Sequence, residues 1–169
     1  MVESRDTFES IQQQIATGDI PGAISSLDSL DPEKRSSVEG LYLSAVCHRY
    51  LRNSALSLEA LDQLQKVAPE YGRGHQERGH LLREMGRAEG ALQAYRQACA
   101  HNPALIASWR AQLEIYKARG VSTGHGNISA EVDRLGKLPK PLLASSDMLH
   151  EGRLLKAEQI CRSFMQKNP

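Results

Sequence analysis

Residues 72–103 read GRGHQERGHLLREMGRAEGALQAYRQACAHNP, and this stretch decides the fold. Gly86 divides it into two segments of similar length and stands where a first helix must end and the chain must turn. Gly79 and Ala91 are small, so two antiparallel helices could cross closely at these positions. Tyr95 would then face the segment that follows. The stretch therefore predicts a hairpin of two helices.

The turn position recurs along the whole chain. Gly18, Arg52, Gly86 and Gly120 are 34 residues apart, and Gly152 follows after 32. A fixed period of this length indicates a protein built from repeated helical hairpins, each of which buries one face against its neighbour.

This period and the residues that carry it resemble the tetratricopeptide repeat. His75 stands where that motif prefers Trp, and Trp109 restores the preference 34 residues later. Pro103 is expected to start the next helix. The resemblance implies an all-α, right-handed superhelical solenoid of about five helical hairpins. The positions that match the motif in the best copy are Gly79, Leu82, Gly86, Ala91, Tyr95, Ala98 and Pro103.

The phase of the repeats predicts the domain organisation. We expect a single domain over residues 1–169 that is truncated at a repeat boundary, because Pro169 stands where a sixth helix would start. The fourth repeat is atypical, since residues 120–127 have loop composition. Its second helix is expected over 130–137, with Ser129 as its cap. The repeats are expected at about 4–37, 38–71, 72–105, 106–137 and 138–169.

Composition limits the classes of partner. The chain has 169 residues, of which 24% are charged, and a net charge of +1, which does not favour binding to nucleic acid. No run of apolar residues is long enough to span a bilayer, and residues 1–10 lack the apolar core of a signal peptide. We therefore expect no membrane partner and a cytoplasmic location.

The sequence offers little for catalysis. Ser122, Thr123 and His125 lie in the one long irregular stretch, without an identifiable acid or base partner. The six histidines include no pair at the i,i+4 spacing of metal ligands. We therefore expect no enzyme activity, no cofactor and no metal site. Three separated cysteines are expected to be small buried side chains, namely Cys47, Cys99 and Cys161.

The first helices of the repeats are expected to line a concave groove. The twelfth position of these helices is basic three times, at Arg49, Arg83 and Lys117, and only Glu39 and Glu114 oppose this charge. A positive groove would bind an acidic peptide or partner protein. The alternative is an ordinary solvated helix face. The phase places these residues in the groove: Tyr42, Val46, Arg49, Arg73, Gln76, His80, Arg83, Ala107, Arg110 and Lys117.

The last 65 residues or so allow a second comparison. The break at 138–139 and the pattern of 151–153 followed by 157–158 resemble the repeat region that precedes the catalytic domain in bacterial tetratricopeptide-sulfotransferase proteins. This resemblance implies a region that recruits a protein substrate, without the catalytic domain itself. A further alternative is self-association into a homo-oligomer through the uncapped apolar end near Ile160 and Phe164.

Overall fold

The computed structural model describes residues 3–121 and 126–168, and for residues 3–6 it describes the backbone only. Within these residues it is helical and contains no strand, which confirms the predicted all-α repeat fold. The helices are α1 (Glu3–Thr17), α2 (Ile20–Asp28), α3 (Pro32–Arg35), α4 (Val38–Tyr50), α5 (Ser54–Val67), α6 (Gly72–Glu84), α7 (Ala88–His101), α8 (Ile106–Ala118), α9 (Gly126–Gly136), α10 (Lys140–His150) and α11 (Leu154–Lys167).

The chain divides into two compact units, residues 1–70 and residues 71–169, which we call unit 1 and unit 2. Unit 1 contains hairpin 1 (α1 and α2), the short helix α3 and hairpin 2 (α4 and α5). Unit 2 contains hairpin 3 (α6 and α7), hairpin 4 (α8 and α9) and hairpin 5 (α10 and α11). Each predicted repeat interval thus holds one hairpin. The single domain, its superhelical hand and its truncation stay predictions.

A residue with left-handed backbone joins or ends the first helix of every hairpin. L-residues avoid positive φ because their Cβ approaches the following carbonyl oxygen, so glycine is favoured there. The second hairpin departs from this rule, because Arg52 adopts a φ of 60°. The predicted turn positions are confirmed, with φ values of 85° at Gly18, 73° at Gly86, 64° at Gly120 and 71° at Gly152.

Small residues allow the helices of hairpin 3 to cross closely. A Cβ on Gly79 would lie 2.6 Å from Cε1 of Tyr95. Tyr95 is fully buried and packs with Ala91 and with Ile115 of α8 in the core of unit 2. The predicted roles of Gly79, Ala91 and Tyr95 are therefore confirmed. In unit 1 the core contains Ile11, Ala23, Leu27, Leu43 and Cys47.

Two predicted helix starts are wrong. Helix α9 begins at Gly126, not at residue 130, so Ser129 lies inside it. The earlier start places Ile128 on the same helical face as the buried Leu135, where it is half-buried.

Pro103 does not start a helix either, because α8 begins at Ile106. The side-chain oxygen of Asn102 accepts a hydrogen bond from the backbone N–H of Ala104, at 3.1 Å. This local turn occupies the residues that follow α7 and delays the next helix.

Replacing Arg52 by Gly should stabilise unit 1. The left-handed backbone costs an L-residue about 1–2 kcal/mol, of which the greater flexibility of unfolded glycine cancels about 0.5–1 kcal/mol. Arg52→Ala is the control, because it removes the side-chain contacts and keeps the Cβ. In urea unfolding, the Gly variant should be more stable than the Ala variant by about 0.5–1 kcal/mol. Equal stabilities would contradict the strained turn.

Replacing Gly79 by Ala should destabilise unit 2 by about 1–3 kcal/mol, because the new methyl group must displace the buried Tyr95 ring. The control is Gly136→Ala, where the nearest atom to the new Cβ is Nη2 of Arg110 at 3.9 Å. Thermal unfolding should show a loss for Gly79→Ala and no loss for Gly136→Ala. Similar melting temperatures for both variants would show that hairpin 3 is not tightly crossed.

Candidate protein-binding site

Two predicted groove residues on α6 bond to neighbouring helices of unit 2. Nε2 of Gln76 donates a hydrogen bond to Oγ of Ser108 on α8, at 2.9 Å. Nδ1 of His80 lies 2.8 Å from the hydroxyl of Tyr95 on α7, and the two rings meet edge to face. These side chains therefore stabilise the packing of unit 2.

The exposed face of α8 carries positive charge. Nη1 of Arg83, on α6, donates a hydrogen bond to Oε2 of Glu114 at 3.0 Å. Arg110 and Lys117 lie one turn on either side of Glu114 and are exposed. Neither has an ion-pair partner among the described residues. They are seven residues apart, so their Cα atoms are separated by roughly 10 Å along the helix.

Arg73 is paired, unlike these two cations. Its guanidinium forms ion pairs with Asp147 and Glu151, both from hairpin 5. The expectation that Glu114 is the only acidic residue near the basic side chains of this wall is therefore wrong. The prediction treated each hairpin as stacking on the one before it, whereas the carboxylates of hairpin 5 reach back to α6.

The groove residues predicted in unit 1 are described separately. Tyr42 is half-buried and packs against the core of that unit. The guanidinium of Arg49 lies 4.7 Å from the ring centroid of Tyr50. Val46 was expected in the groove, but it is 8% exposed and belongs to the core. A basic column that joins Arg49 to the cations of unit 2 stays a prediction.

No protein-family model matches the chain, and no curated protein sequence matches it. Its fold, however, resembles those of two solved tetratricopeptide-repeat proteins. The PilF protein of Pseudomonas aeruginosa superposes with a TM-score of 0.69 and 18% identity, over 99% of this chain and 78% of that one. This chain has the tetratricopeptide-repeat fold.

The second protein of similar structure is MamA. A crystal structure of MamA gives a TM-score of 0.59 and 16% identity, over 96% of this chain and 81% of that one. An RS-1 MamA double mutant gives a TM-score of 0.63 and 13% identity, over 96% of this chain and 93% of that one. At these identities the likeness concerns the tetratricopeptide fold. The sulfotransferase resemblance stays a prediction.

Unit 1 also contains an open cleft of about 320 Å³, between α3 and the helices of hairpin 2. Its lining is mixed, with Arg35, His48 and Glu59 beside the exposed side chain of Leu56. No sequence motif marks this cleft, because it depends on α3, which interrupts the link between hairpins 1 and 2. The repeat phase alone could not predict it.

The described part of this tetratricopeptide chain has few reactive features. It contains no group of three metal-ligating side chains. None of its described helices combines the length and the apolar character needed to cross a membrane. The predicted loop residues Ser122, Thr123 and His125 lie outside the described residues.

Two of the three cysteines are buried, as predicted, and the third is half-buried. Burial raises the pKa of the Cys99 thiol to about 12, and a hydrogen bond from Gln112 opposes this shift. Cys161 is half-buried, and its Sγ lies 2.9 Å from Oγ of Ser145. Cys99 therefore remains a protonated thiol at neutral pH.

Thiol labelling should distinguish the cysteines. At pH 8, Ellman's reagent should react first with Cys161, because Cys47 and Cys99 are buried and thiolate is the reactive form. Raising the pH to 9 should not make Cys99 reactive, since its pKa is about 12. Cys161→Ser should remove the fast phase, and denaturant should expose all thiols. Rapid reaction of two or more thiols in the native chain would contradict this packing.

Proposed function

We propose that this chain is a non-catalytic scaffold that binds an acidic peptide or partner protein on the α8 face of unit 2. The observation that carries this proposal is the pair of exposed cations, Arg110 and Lys117, without ion-pair partners among the described residues. They lie on one helix face, two turns apart. Two carboxylates of an extended peptide would match this spacing.

Charge segregation supports an acidic partner. The chain carries a net charge of only +1, so two exposed unpaired cations on one face create a local field that the whole molecule lacks. Such a field raises the association rate of an anionic partner and weakens with salt. The tetratricopeptide fold supports a binding role, because stacked hairpins present extended surfaces to other proteins.

The energetics favour a modest, reversible interaction. An exposed ion pair contributes about 0–1 kcal/mol, so two such pairs would change affinity by about 3- to 10-fold at low salt. The remaining affinity would come from apolar and backbone contacts. The proposed scaffold would therefore tolerate different acidic partners.

The proposal predicts salt-sensitive binding that depends on the two cations. A fluorescein-labelled acidic peptide library would be titrated against the unaltered chain at 50 and 300 mM salt. The best peptide should bind about 3- to 10-fold more weakly to the Arg110→Ala/Lys117→Ala variant at low salt. This difference should shrink at high salt, because ions screen exposed charges.

A matched control separates the site from net charge. Lys66→Ala/Lys167→Ala removes two other exposed lysines and changes the net charge equally. This variant should bind like the unaltered chain. Equal weakening by both double variants, or no binding of any peptide, would overturn the proposed site.

A further inference from the structure

Hairpin 5 contacts hairpin 3 through two carboxylates on its first helix. Asp147 and Glu151 are one helical turn apart, on one face at the end of α10. The guanidinium of Arg73, at the start of α6, pairs with both of them. Nδ2 of Asn102 donates a hydrogen bond to Oδ1 of Asp147, at 2.7 Å. One guanidinium and one amide thus hold two carboxylates.

These groups are largely removed from solvent. The side chain of Glu151 is 7% exposed, that of Asp147 is 14% exposed and that of Arg73 is 29% exposed. Nη1 of Arg153 lies 3.8 Å from Glu151 Oε2 and supplies a second cation. Carboxylates shielded from water depend strongly on their partners, because removal of one side leaves an uncompensated charge.

The apolar contribution to this docking is small. Leu149, Leu154, Leu155 and Met165 of hairpin 5 and its turn are exposed, with fractions between 52% and 68%. Ala157 is the one described hydrophobic residue of this hairpin that is fully buried. Helices α9 and α10 also touch little, whereas α7 and α8 pack extensively. Opening hairpin 5 would therefore expose little apolar surface, so its free-energy cost rests mainly on the carboxylate contacts.

Arg73 and Asn102 have the chemistry of a carboxylate-binding site. A guanidinium presents several donors in a planar fork, and the amide adds another donor beside it. Arg73 belongs to the α6 face that also carries Gln76, His80 and Arg83. The chain's own carboxylates occupy this site in the present structure.

We propose that Arg73 and Asn102 form a binding site for paired carboxylates, and that hairpin 5 is a tethered competitor for this site. The proposal rests on the proposed function, because it assigns a second contact to the same acidic partner. The partner it fits carries two carboxylates one helical turn apart. Binding of that partner displaces Asp147 and Glu151 and opens hairpin 5.

The tether sets the size of the expected effect. The apparent dissociation constant is the intrinsic one divided by the fraction of chains in which the site is open. An open fraction of about 1–10% would weaken binding about 10- to 100-fold. Removal of the internal carboxylates should restore the intrinsic affinity.

The test uses the full chain and a probe taken from its own sequence. The probe is a fluorescein-labelled peptide of residues 140–153, KPLLASSDMLHEGR, which carries both native carboxylates. It should bind the Asp147→Asn/Glu151→Gln variant at least 10-fold more tightly than the unaltered chain. Adding Arg73→Ala to that variant should abolish the gain. Equal or undetectable binding to the unaltered chain and the double variant would overturn the proposal.

A charge-matched control is Asp133→Asn/Glu158→Gln, which removes two exposed carboxylates elsewhere in unit 2. This variant should bind the probe like the unaltered chain, because the internal competitor is intact. Tight binding by the control would show that net charge, and not displacement, governs the affinity. That outcome would overturn the proposal.

Hydrogen exchange tests displacement without any substitution. At 1 mM probe, amide exchange in residues 140–167 of the unaltered chain should accelerate at least tenfold, whereas α6 and α7 should remain protected. Unchanged exchange would overturn the competitor. Failure of the Arg110 and Lys117 substitutions to weaken acidic-peptide binding would instead overturn the α8 site alone, so the two failures are distinguishable.

Discussion

The hairpins of this structure depend on one backbone constraint, a left-handed residue after the first helix. This residue ends hydrogen bonding along the first helix and sends the chain back as the second helix. Its recurrence at 34-residue intervals fixes where each hairpin begins, and the core residues then follow in phase. Arg52 shows that the constraint is conformational, because the turn persists where glycine is missing.

Polar contacts determine how the face of unit 2 is used. Gln76, His80 and Arg83 are engaged with α7 and α8, so they contribute to packing. Arg110 and Lys117 remain exposed on the next first helix. The same α6 face therefore supports the fold, whereas the α8 face is the better surface for a partner. Arg73 differs from both, because its partners belong to a hairpin with few buried apolar side chains.

The sequence predicted most of the architecture for a physical reason. Gly79, Gly86 and Tyr95 report local requirements, such as a close crossing, a left-handed turn and a buried ring, and these requirements recur with the period. The start of α9 could not be read in this way, because burial of Ile128 and Leu135 outweighed the loop-forming composition around them.

The candidate site was less predictable because it depends on long-range geometry. Helical phase placed Arg73, Arg110 and Lys117 on first helices, but it could not show which of them meets a carboxylate. Asp147 and Asn102 were missed, since each acquires its role from a residue at least 29 positions away. Glu151 was noticed only as part of a motif. No local pattern announces a contact made after an irregular fourth repeat.

The central claim is that the charge on Arg73 is matched by the carboxylates of hairpin 5. A double-mutant cycle for Arg73→Ala and Asp147→Asn, measured by urea unfolding, tests it most directly. Groups in contact within one network show coupling energies of about 0.5–3 kcal/mol, whereas distant groups are additive within about 0.3–0.5 kcal/mol. The account predicts a coupling of at least about 1 kcal/mol, because both groups are mostly shielded from solvent. Additive effects would contradict it.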